Sequence, residues 1–161
     1  WRYTAQAGDL VSLAGEIATY TGGAHPNLAL EAVISDTSGQ ALAFAEMLRP
    51  DRTPSPALVI AICEALKQAK ARRLGEERIL GEPIACAGAA ANIRTEEAAL
   101  ALAPSSEAAR FGGLYVLYSP YEVGAYVEGP YRLTVQQAVF RDDLRDRFQP
   151  LFGGEAPALA D

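Results

Sequence analysis

The residue types that do chemistry are sparse in this chain: one histidine, His25, and two cysteines, Cys63 and Cys86. Nucleophilic catalysis needs a base within reach of a serine, cysteine or threonine. His25 sits between the pair Gly22-Gly23 and Pro26, far in sequence from either cysteine, and no G-x-S-x-G occurs. A structural zinc site wants four ligands at tight spacing. One histidine and two dispersed cysteines do not supply them, so no metal and no cofactor are expected. Glycosidic chemistry needs two carboxyl groups held together, whereas Glu16, Glu31 and Glu122 are scattered and fit exposed strand positions. The pairs Gly22-Gly23, Gly112-Gly113 and Gly153-Gly154 lack a phosphate-loop frame and read as turns. No catalytic residue is assigned, and enzymatic activity is not expected.

Binding is better served. In Tyr20-Thr21-Gly22-Gly23-Ala24-His25-Pro26-Asn27, two glycines permit positive φ and Pro26 holds His25 extended. The plain reading is a hairpin whose imidazole bonds nearby backbone. The second constellation runs from Tyr115 to Tyr131 and holds five of the seven tyrosines. Tyrosine offers rigid contact area with a polar tip. His25, Tyr118, Pro120, Tyr121, Glu122 and Tyr126 are therefore the candidate ligand-binding residues. Tyr121 is the leading one, because Pro120 ends strand pairing and turns the chain outward. The rival reading packs these rings beneath a C-terminal helix, where they only fix a corner.

The elements that would hold these segments follow from periodicity. Residues 9–21 alternate as a strand bent at Gly15, and residues 28–35 return with Leu28, Leu30, Ala32 and Ile34 on one face. Asp36 to Gly39 is a tight turn, Ala41 to Phe44 a short strand, and a helical turn ends near Leu48. A loop with three prolines (Pro50, Pro54, Pro56) precedes a helix over 57–74, with Leu58, Ile62, Leu66 and Ala69 at helical spacing and Gly75 as its C-cap. Residues 76–92 are weakly patterned, and 98–103 fit strand or helix. Strands over 114–118 and 131–135 follow, then a short helix over 138–148 with Val139, Phe140, Leu144 and Phe148 inward. The expectation is an α+β domain over 1–152: an antiparallel β-meander with one longer middle helix and a short C-terminal helix, then a mobile tail over 153–161.

Composition narrows the partners. The chain has 161 residues, half of them hydrophobic, and a net charge of −6, enough for one domain with a real core. The acidic balance argues against nucleic acid and anionic lipid and favours a cationic partner. No apolar run approaches the ~20 residues of a membrane-spanning helix. Trp1 opens without leader or initiator methionine, as a piece of a longer precursor would. From the residues alone, a disulfide and two buried free thiols are equally open for Cys63 and Cys86.

Together, Tyr20 to Pro26 (Y-x-G-G-A-H-P), the segment Ala43 to Leu48, and Tyr118 to Gly129 (Y-S-P-Y-E-V-G-A-Y-x-x-G) resemble the RsiV-like C-terminal domain family, a domain of unknown function. Ala125 stands where that family usually has proline, which would loosen the turn. The resemblance spans roughly residues 9 to 150. It implies a periplasmic or extracytoplasmic setting. Such domains are found in envelope lipoproteins, in peptidoglycan deacetylases, and outside the membrane in an anti-sigma factor that senses lysozyme. It further implies a companion domain upstream, a lipid anchor in that missing N-terminus, and a Cys63–Cys86 disulfide. The expected role is a non-catalytic binding or sensing module for a cationic protein such as lysozyme, or for a peptidoglycan fragment. The alternatives are an accessory or catalytic domain of a cell-wall-modifying enzyme, and a purely structural lipoprotein domain.

Overall fold

A computed structural model describes residues 1–53, 55–75 and 99–159. The fold is α+β, with two antiparallel three-stranded sheets and one main helix. The first sheet is a meander of β1 (Arg2–Ala7), β2 (Leu10–Thr19) and β3 (Asn27–Asp36). The second is β4 (Ala99–Pro104), β5 (Phe111–Tyr118) and β6 (Tyr131–Gln136). Central strand β5 is buried along its whole length, as expected of a strand covered on both faces. Leu114, Val116 and Tyr118 join the core shared with the helix, and Tyr115 and Leu117 join a layer with Leu30. Small residues Ala14, Ala32, Ala101 and Ala103 also meet in that layer, which lets the two sheets approach closely. Fully buried Ser12 ties them together, its Oγ accepting the Leu102 N–H at 2.8 Å.

Helix α2 (Pro56–Leu74) forms where its periodicity predicts, after the short α1 (Phe44–Met47). Ser55 Oγ caps its start by accepting the Leu58 N–H, proline occupies its first position, and Gly75 ends it at φ +88°. Leu58, Ile62, Leu66 and Ala69 are all buried, one face of 3.6-residue periodicity. Cys63 lies on this helix, while Cys86 and the weakly patterned segment of residues 76–92 are outside the described residues.

Four expectations are corrected. The strand at Ala41–Phe44 reduces to one bridge, Ser35 with Ala41. The C-terminal helix over 138–148 is instead a chain of 3-10 turns at Gln137–Val139 and Arg141–Asp143. Its backbone is claimed elsewhere: Arg145 N–H donates to Met47 O and Arg49 N–H to Asp143 O, each at 2.9 Å, and Leu48 bridges Leu144. Phe140, Leu144 and Phe148 are nevertheless buried and Val139 is half-buried against the same core, although the helix does not form.

Gly112-Gly113 is not a turn but part of β5, and it explains the third and fourth corrections together. A Cβ at Gly112 would lie 2.5 Å from the Ala156 backbone, and one at Gly113 2.1 Å from Val135 O. Gly113 lets β6 approach, and Gly112 admits a C-terminal segment that had been expected to be a loose tail. Phe152 bridges Phe111, the Gln136 side chain holds Ala156 at both N–H and C=O, and Leu159 N–H reaches Thr134 Oγ1 at 3.1 Å. Residues 153–159 are thus packed onto the second sheet.

Candidate functional site

The two constellations of the sequence converge. The β2–β3 hairpin carries His25, and the link from β5 to β6 carries Tyr121 and Tyr126. His25 stacks on Tyr126 with ring centroids 3.6 Å apart and planes 18° from parallel. Tyr121 tilts against Tyr126 at 5.4 Å and lies 6.5 Å from His25. Tyr126 OH donates to Pro26 O at 2.6 Å, joining the two loops directly. His25 Nδ1 also faces Pro26 O, at 3.1 Å. Tyr20 OH donates to Gly23 O and closes the hairpin tip.

Tyr121 has an unusual backbone. Ser119-Pro120-Tyr121-Glu122 is a tight turn in which Glu122 N–H donates to Ser119 O at 3.2 Å. Proline at the second position and positive φ at the third are marks of a type II turn, which normally places glycine third. Here the third residue is Tyr121 at φ +76°, and it is 65% exposed. A side chain in the left-handed region costs roughly 1–2 kcal/mol. Two contacts over-determine the turn: Glu122 Oε2 accepts Ser119 N–H at 2.7 Å, and Ser119 Oγ accepts Leu30 N–H from β3. Glu122 thus serves the turn, and no hydrogen bond joins it or any serine to His25 among the described residues. Pro120 is half-buried.

Tyr118 is different. It is 2% exposed in the core, and its hydroxyl has no hydrogen-bond partner among the described residues. Burial, and then the charge of Glu122, push its phenol well above the ordinary tyrosine range. It belongs to the scaffold and not to the surface cluster.

Beneath the cluster lies a support that sequence reasoning missed. Glu128 Oε1 accepts Ala125 N–H at 2.9 Å, and Oε2 accepts Tyr131 OH at 2.7 Å and pairs with buried Lys70 of α2 at 3.2 Å. Arg73, also on α2, donates to the carbonyls of Glu128 and Pro130 and covers the Tyr131 ring at 4.3 Å. Burial raises the Glu128 pKa, but the bonds from Tyr131, Ala125 and Lys70 outweigh it and leave the carboxyl below its ordinary value. Ala125 therefore does not loosen the turn: it uses the amide hydrogen that proline would lack. Gly124 leaves room for this carboxylate, since a Cβ there would fall 2.3 Å from Glu128 Oε2 and the side chain would have to shift. The one available signal was the spacing of Ala125 and Glu128, which permits a side chain to cap its own turn.

An α+β domain with two three-stranded antiparallel sheets and an aromatic cluster bridging two loops is the class defined so far. The chain matches no described family model and no curated protein. Among solved structures, its fold is similar to a DUF3298 family protein from Pseudomonas aeruginosa PAO1, with TM-score 0.61, 17% identity, and coverage of 96% of this chain and 62% of that one. It is also similar to a DUF3298 family member from Bacteroides fragilis NCTC 9343, with TM-score 0.50, 18% identity, and coverage of 86% and 49%. The chain thus spans less than two-thirds of either neighbour's length. DUF3298 denotes a domain of unknown function, a likeness consistent with the family resemblance read from the sequence motifs. No helix among the described residues is long and apolar enough to cross a membrane.

Proposed function

We propose that this chain is an extracytoplasmic binding or sensing module of the bacterial envelope, non-catalytic, with Tyr121 as its anchor. The observation that carries this reading is Tyr121 itself: an exposed aromatic ring held at positive φ on a stiff turn. Backbone strain of this kind persists where the surroundings over-determine it, and it clusters at binding and switch sites. An anchor ordered beforehand loses little entropy on binding. His25 is engaged by its stack on Tyr126 and by the Pro26 carbonyl, which favours a recognition surface over proton transfer. The net charge of −6 favours a cationic protein partner such as lysozyme. The family motifs support the envelope setting, with cell-wall glycan as the other candidate ligand.

Surface-immobilised protein titrated with lysozyme and, separately, with soluble peptidoglycan fragments tests this. Tyr121→Ala should weaken the productive interaction by about 2 kcal/mol, near thirtyfold, with an unchanged melting temperature. Wild-type affinity in that variant, or binding of neither probe to the native chain, defeats the reading. The same setting proposes a Cys63–Cys86 disulfide, whose 24-residue loop would contribute roughly 3 kcal/mol. Thiol titration of denatured, unreduced protein should find no free thiol; two free thiols would refute the bridge.

A further inference from the structure

A cleft of about 480 Å3 opens where four elements meet, and it shares no residue with the Tyr121 cluster. That volume falls within the usual ~300–1,000 Å3 of small-molecule sites. Asp9 enters it from the turn between β1 and β2, Asp36 from the end of β3, Glu46 from α1, and Arg147 from the turns that follow Leu144. Backbone bonds fix these walls. Thr37 N–H donates to Asp9 O at 2.8 Å and ties the first two turns together. Phe148 N–H donates to Arg145 O at 2.8 Å, and Arg145 N–H to Met47 O at 2.9 Å, which ties the turn of Arg147 to α1. Gly8 lets the first turn close on the opposite wall: it sits at φ +57°, and a Cβ there would lie 3.0 Å from Leu151 Cδ2. Leu10, Leu42 and Leu151 make one side of the cleft apolar.

The charges of the cleft are three carboxylates and one guanidinium, and they are not equally free. Asp36 is engaged by its own turn, where Oδ1 accepts Ser38 N–H at 2.9 Å, Ser38 Oγ at 2.6 Å and Gln40 N–H at 2.9 Å. Its other oxygen adds to the field that draws a cation. Glu46 uses only Oε2, which accepts Ala43 N–H at 2.8 Å. The Asp9 carboxylate and the Arg147 guanidinium have no hydrogen-bond or ion-pair partner among the described residues. Arg147 lies instead over the Phe148 ring at 4.5 Å, a contact that orients the guanidinium without using its N–H groups. Two carboxylates with free oxygens and one free guanidinium, set around an aliphatic wall, match two cationic groups and one anionic group on an aliphatic stem. A bare divalent cation would face Arg147, and no group of three metal-ligating side chains lies together among the described residues. An inorganic anion would face the carboxylates. A fatty chain would strip water from the charges without replacing their hydrogen bonds. A neutral amino acid would leave one carboxylate unmatched, whereas a diamino acid matches the whole set.

We infer that this cleft binds a free diamino acid of the lysine and ornithine class, with its carboxylate on Arg147, its two ammonium groups on Asp9 and Glu46, and its methylene stem along Leu10, Leu42 and Leu151. The inference does not depend on what Tyr121 binds. The whole chain is titrated by calorimetry with L-lysine and L-ornithine. The rivals are L-norleucine, which lacks the second ammonium, cadaverine, which lacks the carboxylate, and Nα-acetyl-lysine N-methylamide, which presents lysine as it occurs inside a protein. Lysine or ornithine should saturate, and each rival should bind at least tenfold more weakly. Arg147→Met keeps a stem over Phe148 but removes the charge. It should weaken the diamino acid roughly tenfold through loss of a charged hydrogen bond while leaving cadaverine binding unchanged. Asp9→Asn should weaken both. Asp9 and Arg147 are exposed, so both variants should melt as wild type does. Tyr121→Ala should leave diamino acid affinity unchanged. If neither lysine nor ornithine saturates, the site assignment is wrong. Norleucine binding as tightly as lysine makes the ligand class wrong. Equal binding of cadaverine or the blocked lysine removes Arg147 from recognition and turns the cleft into a seat for a basic protein side chain, which overturns the inference. Lysine binding that survives Arg147→Met but vanishes with Tyr121→Ala places the ligand at the aromatic cluster and overturns it as well.

Discussion

Tyr118 and Tyr121 stand three residues apart in one motif, yet one is 2% exposed and the other 65%. The divide is Pro120. Up to Tyr118 the chain belongs to β5, whose ladder with β6 runs from Gly113 to Tyr118 and buries every residue. Past Pro120 the ladder is gone, and a turn at positive φ points the next ring to solvent. The same side chain is structural on one side of the proline and a surface feature on the other. Residue type therefore says little here, and position relative to the last paired residue says most.

The largest effect that probes this contrast is expected from Tyr118→Ala. Emptying a fully packed aromatic site should cost about 4 kcal/mol in denaturant unfolding. Tyr118→Phe should be neutral or stabilising, because the buried hydroxyl it removes has no partner among the described residues. A clear loss from the phenylalanine variant would show that the hydroxyl is satisfied in solution, and the contrast between the two tyrosines would weaken.

Next comes the support under the surface cluster. Glu128→Ala leaves Lys70 buried without its counter-charge and frees Tyr131 OH and Ala125 N–H. The expected cost is roughly 3 kcal/mol at neutral pH. Because the folded-state pKa of Glu128 lies below its ordinary value, its contribution is complete above the ordinary glutamate pKa. It is lost as pH falls through the folded value. The stability gap between wild type and Glu128→Ala should thus shrink from pH 7 toward about pH 3. A gap that stays constant would mean the carboxylate does not act through its charge.

Much of this was legible in the sequence, and the losses have identifiable causes. The strands of the first sheet and helix α2 follow from alternation and from the spacing of Leu58, Ile62, Leu66 and Ala69, because local pattern and burial agree there. The region 138–148 misled because its apolar spacing is helical while its backbone bonds go to Met47 and Arg49, far earlier in the chain. Gly112 looked like a turn because close approach of another backbone leaves no local trace. Both halves of the candidate site were visible as motifs, but their contact through Tyr126 and Pro26 was not. Tyr118 was misassigned to the surface set because the end of β5 could not be placed against β6. Glu128 stayed hidden because its importance depends on Lys70, distant in sequence and brought close only by α2.

The smallest expected effect is the sharpest test of how Tyr121 is held. Two properties are combined in this residue, an exposed ring and a backbone at φ +76°. Tyr121→Ala removes the ring but keeps a Cβ in the left-handed region, so its stability should match wild type. Tyr121→Gly removes the ring and the Cβ together. It should recover the roughly 1–2 kcal/mol cost of that conformation, less about 0.5–1 kcal/mol for glycine's freer unfolded chain. The net expectation is a gain of up to about 1.5 kcal/mol for glycine over alanine in paired unfolding curves. Both variants should lose partner binding alike, because both lack the ring. A glycine variant no more stable than alanine would mean that the turn stores no strain at Tyr121. The site would then rest on exposure alone, and Tyr121 would differ from Tyr118 in burial but not in how the backbone presents it.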